Sequence, residues 1–279
     1  MINLILAILS SMMVSVTMRL SEKRVKNNIS MLAMNYVMCI VLSYVYAGEM
    51  RLLPSGEAGF GFTLLWGLLS GAMYLGGFLL LQWNIGRNGV TLPATFMKLG
   101  VIVPTMLSIA AFGEKPGVLQ LIGVALAITA IILINTGKGG AKAASMAGLV
   151  ALLLCGGLTD FTSKIYEELG NAALSDHYLL YTFGAACLLC AALAAFRRQS
   201  MTLRDAAFGL LIGVPNYYSA RFLLASLTSV PAVVAYPTVN VGTIVMVTLC
   251  GMAFFREKLT RRQWCAMGVI LAAIVLLNV

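Results

Sequence analysis

Ten stretches of close to twenty apolar residues follow one another along this chain, separated by short loops that hold most of its charge. Buried helices of soluble proteins seldom stay apolar beyond about a dozen residues, whereas a hydrocarbon layer about 30 Å thick needs about 20 residues at a rise of about 1.5 Å each. With 60% apolar and 10% charged residues, the composition stands far from the roughly 25% charged of a soluble domain. Lipid is therefore the solvent. Bare loops and open sheet edges cannot satisfy their backbone groups there, and no alternating strand pattern occurs, so each run is expected to be a helix.

The ten segments are expected near residues 1–18, 29–47, 60–82, 92–111, 116–135, 146–165, 176–196, 203–226, 231–254 and 262–278. Met1-Ile2-Asn3 carries no basic residue and no small-residue cleavage site precedes Arg19, so the first segment reads as a retained helix and not a secretory signal. The class is an all-α polytopic membrane protein, multi-pass in the cell (inner) membrane.

The chain is also written twice. Phe112-Gly113-Glu114-Lys115 with Gln120 returns as Phe255-Arg256-Glu257-Lys258 with Gln263, 143 residues later. Gly67-xxx-Gly71 with Tyr74 is echoed by Gly209-xxx-Gly213 with Tyr217 at nearly the same offset. This predicts a five-helix repeat over 1–136, a linker over 137–145 rich in Gly, Lys and Ala, and a second repeat over 146–279. The glycine pairs place two small residues on one helix face, which lets backbones approach closely in lipid, and their matched positions predict a central packing seam.

The net charge of +9 would suggest a nucleic-acid partner in a soluble protein, but here it is topogenic. The loops after the odd segments hold fourteen basic residues, from Arg19 to Arg262, and those after the even segments hold Arg51, Lys115 and Lys164. Within the first half the loops after segments 1 and 3 are basic; their equivalents in the second half, after segments 6 and 8, are poor. Five helices per half is an odd number, so the copies are expected to be inverted with respect to each other, the construction of secondary transporters.

The paired pattern of Gly113-Glu114-Lys115 with Gln120 and Gly123, and Glu257-Lys258 with Gln263 and Gly268, resembles the two halves of EamA-type proteins of the drug/metabolite transporter superfamily, over essentially the whole chain. The resemblance implies a metabolite carrier whose central cavity is lined by segments 1, 3, 4, 6, 8 and 9. Three features depart from the family pattern. Ser10-Ser11-Met12-Met13 stands where a Trp-Gly pair is common. The first segment holds no carboxylate to couple protons. The loop charges place the termini outside, whereas the family usually keeps them cytoplasmic.

Ionisable groups within spans are costly and tend to be kept for function. Lys98 in segment 4 and Arg221 in segment 8 are the candidate substrate-binding bases, either of which could instead snorkel to the interface. Asp160 is the acid placed inside a cavity segment and the first suspect for proton coupling, although Lys164 lies one turn away at pairing distance. Segment 8 is expected to break at Gly213-Val-Pro215, just before Asn216, Tyr217 and Arg221. With Tyr74, Tyr236 and Asn240 these give an aromatic and amide lining, against the plainer view that such groups only bond neighbouring helices.

Metal and redox chemistry have little support. The six cysteines lie in apolar runs as small hydrophobes, Cys187-x-x-Cys190 has no second pair or His beside it, and His177 reads as a wet loop residue next to Asp176. No paired acids or dyad suggest an enzyme. The expectation is a monomeric secondary transporter without cofactor or metal, taking a small polar metabolite such as an amino acid or organic anion. An exporter of aromatic or cationic compounds, a channel and a passive scaffold are the alternatives.

Overall fold

The computed structural model describes residues 1–22, 24–48, 52–88, 91–135, 144–198, 200–255 and 261–278. Most of the expected linker, the motif copy at Glu257 and Lys258, and the loop charges Lys23, Arg51, Lys138, Lys142 and Arg256 lie outside the described residues.

Every described element is helical. The helices are α1 (Ile2–Ser21), α2 (Asn28–Ala47), α3 (Phe60–Asn88), α4 (Thr91–Leu99), α5 (Ile102–Phe112), α6 (Val118–Asn135), α7 (Met146–Leu169), α8 (Ser175–Phe196), α9 (Leu203–Leu227), α10 (Ala232–Phe255) and α11 (Arg261–Leu277). They match the ten expected segments, with the fourth divided into α4 and α5. Among the described residues seven spans are long and apolar enough to cross a bilayer; α6 and α11 are shorter apolar helices, and α9, which carries Arg204, Asp205, Asn216 and Arg221, is not among the seven.

The fourth segment is divided one turn before Pro104. Proline has no N–H for the carbonyl four residues back, which here is that of Gly100, and the helix is interrupted at Gly100 and Val101. The Gly100 carbonyl takes its bond from the Val103 N–H instead, at 2.9 Å. Gly100 and Gly157 of α7 meet backbone to backbone, and a Cβ added at Gly100 would stand 3.1 Å from the Leu153 carbonyl oxygen. Segment 8 behaves differently from expectation: α9 runs without a break through Pro215.

By spatial contact the chain forms two compact units, one of Gly76–Lys164 with Ser226–Val279 and one of Ile2–Leu75 with Ile165–Ala225. Each draws on both sequence halves. In the second unit α2 packs along α8. Gly67 and Gly71 of α3 lie against Tyr178, Tyr181, Thr182 and Ala185 of α8, and Gly209 and Gly213 of α9 lie against Met31, Met34, Asn35 and Met38 of α2. Each glycine pair thus packs on the second helix of the opposite half. In the first unit the final helices of the two halves, α6 and α11, pack together, and α10 lies against α5, α6 and α11.

Polar groups fix several helix ends. Asn27 caps α2 through its side-chain oxygen, accepting from the Ile29 and Ser30 N–H groups. Asp205 accepts from the N–H groups of Lys26 at 2.9 Å and Thr202 at 2.9 Å, tying the start of α9 to the start of α2. Gly113 ends α5 in the left-handed conformation with φ 66°, which glycine adopts without a Cβ penalty. That turn delivers Glu114, whose carboxylate accepts from the N–H groups of Ala232 (2.8 Å) and Val233 (3.0 Å) at the start of α10 and faces the Lys164 ammonium at 3.4 Å. The Glu of the repeated motif therefore caps a neighbouring helix.

His177 differs from its expected place. It is 1% exposed in the first turn of α8, because the 3-10 turn Ala172–Leu174 runs directly into that helix and leaves no loop for it to occupy.

Candidate substrate site

The eight candidate residues fall into two groups. Tyr74, Asn216, Tyr217 and Arg221 belong to the second unit, and Lys98, Asp160, Tyr236 and Asn240 to the first.

In the second unit the centre is Arg221 on α9, whose Nη2 donates to Asp176 Oδ2 at 3.2 Å and whose Nη1 donates to Tyr217 Oη at 3.4 Å. Tyr217, fully buried one turn earlier, donates in turn to Asp176 Oδ1 at 3.3 Å. The guanidinium carbon lies over the Tyr46 ring, 3.7 Å from its centroid, a position in which ring and cation attract. Tyr46 also donates to or accepts from the Tyr218 hydroxyl at 3.0 Å. The protein leaves 28% of the Arg221 side chain and 22% of the Asp176 side chain uncovered. Arg221 thus has a definite carboxylate partner, and that partner comes from the second position of a different helix.

Rings extend this centre. Tyr217 stacks on Tyr46 (5.8 Å), meets Tyr218 edge-on (5.5 Å) and touches Phe183 (6.4 Å), which leads on to Tyr74 (6.3 Å). Tyr218 stacks on Phe222 at 5.7 Å. Asn216 points elsewhere: its amide donates to Asn35 Oδ1 at 3.3 Å and to Cys39 Sγ at 3.7 Å on α2. It bonds neighbouring helices, as polar groups in lipid commonly do.

In the first unit Lys98, two residues before the interruption at Gly100, and Asp160 on α7 act on one another electrostatically. Both are half-buried. Tyr236, 1% exposed, donates to the backbone carbonyl of Asp160 at 2.6 Å. Asn240 donates to the Tyr236 carbonyl of its own helix at 3.2 Å. Lys164, one turn beyond Asp160, reaches across to Glu114 and lies 5.8 Å from the centroid of the Phe112 ring.

Sequence reasoning therefore missed Asp176, Tyr46, Tyr218 and Glu114 as partners. Asp176 carried a usable signal, a lone acid at a helix start beside an apolar run, but its partner is 45 residues away along the chain, a separation that no local pattern encodes. Among the described residues no three His, Cys, Asp or Glu side chains gather as a metal site.

Comparison with known proteins decides the family. The family model of the EamA-like transporter family matches residues 1–136 and again residues 144–279. The chain belongs to the EamA-like transporter family. This family lies within the drug/metabolite transporter superfamily and consists of polytopic membrane transporters. An uncharacterized protein of Haemophilus influenzae is 25% identical over 98% of this chain and 96% of its own length. The probable 4-amino-4-deoxy-L-arabinose-phosphoundecaprenol flippase subunit ArnE of Klebsiella pneumoniae is 39% identical over 55 residues, 20% of this chain and 48% of that relative. A crystal structure of a protein superposes with a TM-score of 0.68, covering 99% of this chain and 98% of its own at 11% identity, which shows a shared fold alone.

Proposed function

We propose that this EamA-like protein is a secondary transporter that moves a small polar metabolite, an amino acid or organic anion, by exposing a membrane-embedded site alternately to each side. The observation that carries this reading is the Arg221, Asp176 and Tyr217 cluster, a charged and hydrogen-bonding group on apolar helices whose ion pair the protein leaves partly uncovered. A purely structural ion pair in lipid would be expected to be closed off, because each exposed charge there is costly.

The same reading takes 1–136 and 146–279 as inverted repeats joined by the linker 137–145. It is supported by the exchanged packing of the glycine pairs, Gly67 and Gly71 on α8 against Gly209 and Gly213 on α2, and by the alternation of loop charge. Within the second unit Tyr74 and Asn216, and within the first unit Lys98, Tyr236 and Asn240, are further candidates for contact with substrate, with Asp160 as the candidate proton-coupling group. The protein acts as a monomer in the inner membrane.

Purified protein in liposomes should show counterflow that saturates with substrate; flux that rises linearly without saturation would mean a pore and end the carrier reading. A second reading, export of aromatic compounds, is favoured by the ring series from Tyr74 through Phe183 and Tyr217 to Tyr46. Counterflow driven by planar aromatic amines lacking a carboxylate would select it.

A further inference from the structure

We propose that the turn after α1 and the turn leading into α9 form one docking surface for the headgroups of anionic phospholipids, with Arg24, Lys26, Arg197, Arg198 and Arg204 as the residues that receive the phosphates. The surface follows from the chain's membrane-helix class and holds for whatever solute it carries.

Three observations carry it. First, the two turns are stitched together within the second unit. The Asp205 carboxylate is fully buried; its Oδ1 accepts from the Lys26 N–H at 2.9 Å and the Asn27 N–H at 3.4 Å, and its Oδ2 accepts from the Thr202 N–H at 2.9 Å. The Thr202 hydroxyl accepts from the Asp205 N–H at 3.3 Å, closing a reciprocal cap at the start of α9. Just beyond it Gly209 lies against Met31 and Met34 of α2, so α2 and α9 start side by side. The Arg24 guanidinium carbon stands 5.9 Å from the centroid of the Phe208 ring. Bases from turns 179 residues apart in the chain therefore share one end of the unit.

Second, that end presents one sign. Its buried acid is spent on backbone N–H groups, while all five bases are exposed. Among the described residues none of the five forms an ion pair, and the exposed acid of these turns is Glu22. Four of the five are arginines, whose planar fork matches the oxygens of a phosphate.

Third, apolar side chains border the bases. Phe196, next to Arg197, is 88% uncovered by protein and Leu203, next to Arg204, is 87% uncovered. Such side chains rest favourably among acyl chains, which sets the adjoining guanidinium groups at headgroup depth, where long basic side chains extend outward. Near an anionic leaflet each basic residue gains about five-fold in affinity, an attraction that fades within a Debye length. Loop charge that served insertion alone would be indifferent to the sign of the surrounding lipid.

The test titrates full-length protein in uncharged detergent with dioleoyl-phosphatidylglycerol or dioleoyl-phosphatidylcholine and follows its melting midpoint at low and high salt. Phosphatidylglycerol should raise the midpoint by several degrees more than phosphatidylcholine, and high salt should remove most of that difference. In the triple variant Arg197→Gln, Arg198→Gln, Arg204→Gln the half-saturating concentration of phosphatidylglycerol should rise ten-fold or more. The triple variant Arg197→Lys, Arg198→Lys, Arg204→Lys, which keeps the charge, should retain most of the affinity and guards against a protein that merely misfolds. Lys115→Gln, in the loop after α5, should leave the affinity unchanged. Equal stabilisation by the two lipids, wild-type affinity in the Gln triple variant, or an equal loss in Lys115→Gln would overturn the proposal. So would the same shift from inorganic phosphate or glycerol phosphate at matched concentration, which would mark a site for a soluble anion and not for a lipid.

Discussion

Arg221 looks from the sequence like an unpaired base available to an anion, and the structure gives it a carboxylate neighbour. Replacing it by Gln should weaken binding of a carboxylate-bearing substrate about ten- to a hundred-fold, the loss of one charge-assisted bond of roughly 1.5–3 kcal/mol. Tyr217→Phe keeps the ring and removes only the bridging hydroxyl, so its effect on the dissociation constant should be the smaller; equal effects would place the site elsewhere. The pair also has a stability signature. Since both partners are about a quarter exposed, removing one should cost about 1–2 kcal/mol, below the roughly 3–5 kcal/mol of a fully buried pair. The Arg221→Gln, Asp176→Asn double variant should melt higher than the sum of the single losses predicts. Glu114 belongs to the same scale. Its carboxylate accepts two N–H bonds at the start of α10 and faces Lys164, so Glu114→Gln should lower thermal stability by about 1.5–3 kcal/mol, and an unchanged melting curve would refute its capping role.

At the scale of elements, helix approach in lipid depends on small residues where a side chain would collide. A Cβ at Gly67 would sit 2.7 Å from the Tyr181 Cβ, and one at Gly71 would sit 2.7 Å from the Ala185 Cβ and against the Thr182 carbonyl, whereas a Cβ at Gly184 meets nothing within 4 Å. Gly71→Ala is therefore expected to destabilise by about 1–3 kcal/mol, the usual range for overpacking, and Gly184→Ala to be nearly neutral. Denaturation midpoints of the two variants check this directly, and a neutral Gly71→Ala would mean that α3 and α8 are free to separate. The interruption between α4 and α5 was present in the sequence as Pro104, yet the same residue type at Pro215 and Pro237 leaves α9 and α10 continuous.

For the whole molecule, the two compact units cut across the two sequence halves. Residues 1–143 expressed alone should fail to yield a stable monodisperse protein, because α2 would lack α8 and α6 would lack α11. Co-expression with residues 144–279 should restore it, and size-exclusion profiles of the two preparations decide the matter. A stable isolated half would show that the halves fold independently. Topology mapping belongs here as well: with five helices per half, a reporter near Lys138 should lie on the opposite side of the membrane from both termini, and a same-side result would sink the ten-span arrangement.

Local chemistry determined the class, the succession of apolar helices and most helix ends, because apolar run length acts residue by residue in a lipid solvent. The glycine pairs and the lone ionisable residues also stood out before any fold was known. Tertiary structure alone decided which groups meet. Asp176 beside Arg221, Glu114 at the start of α10, Asn216 turned towards α2 and His177 buried in α8 all depend on which helix lies against which. Such pairings bring together residues up to 181 positions apart, and a short-range pattern carries no record of a partner at that distance.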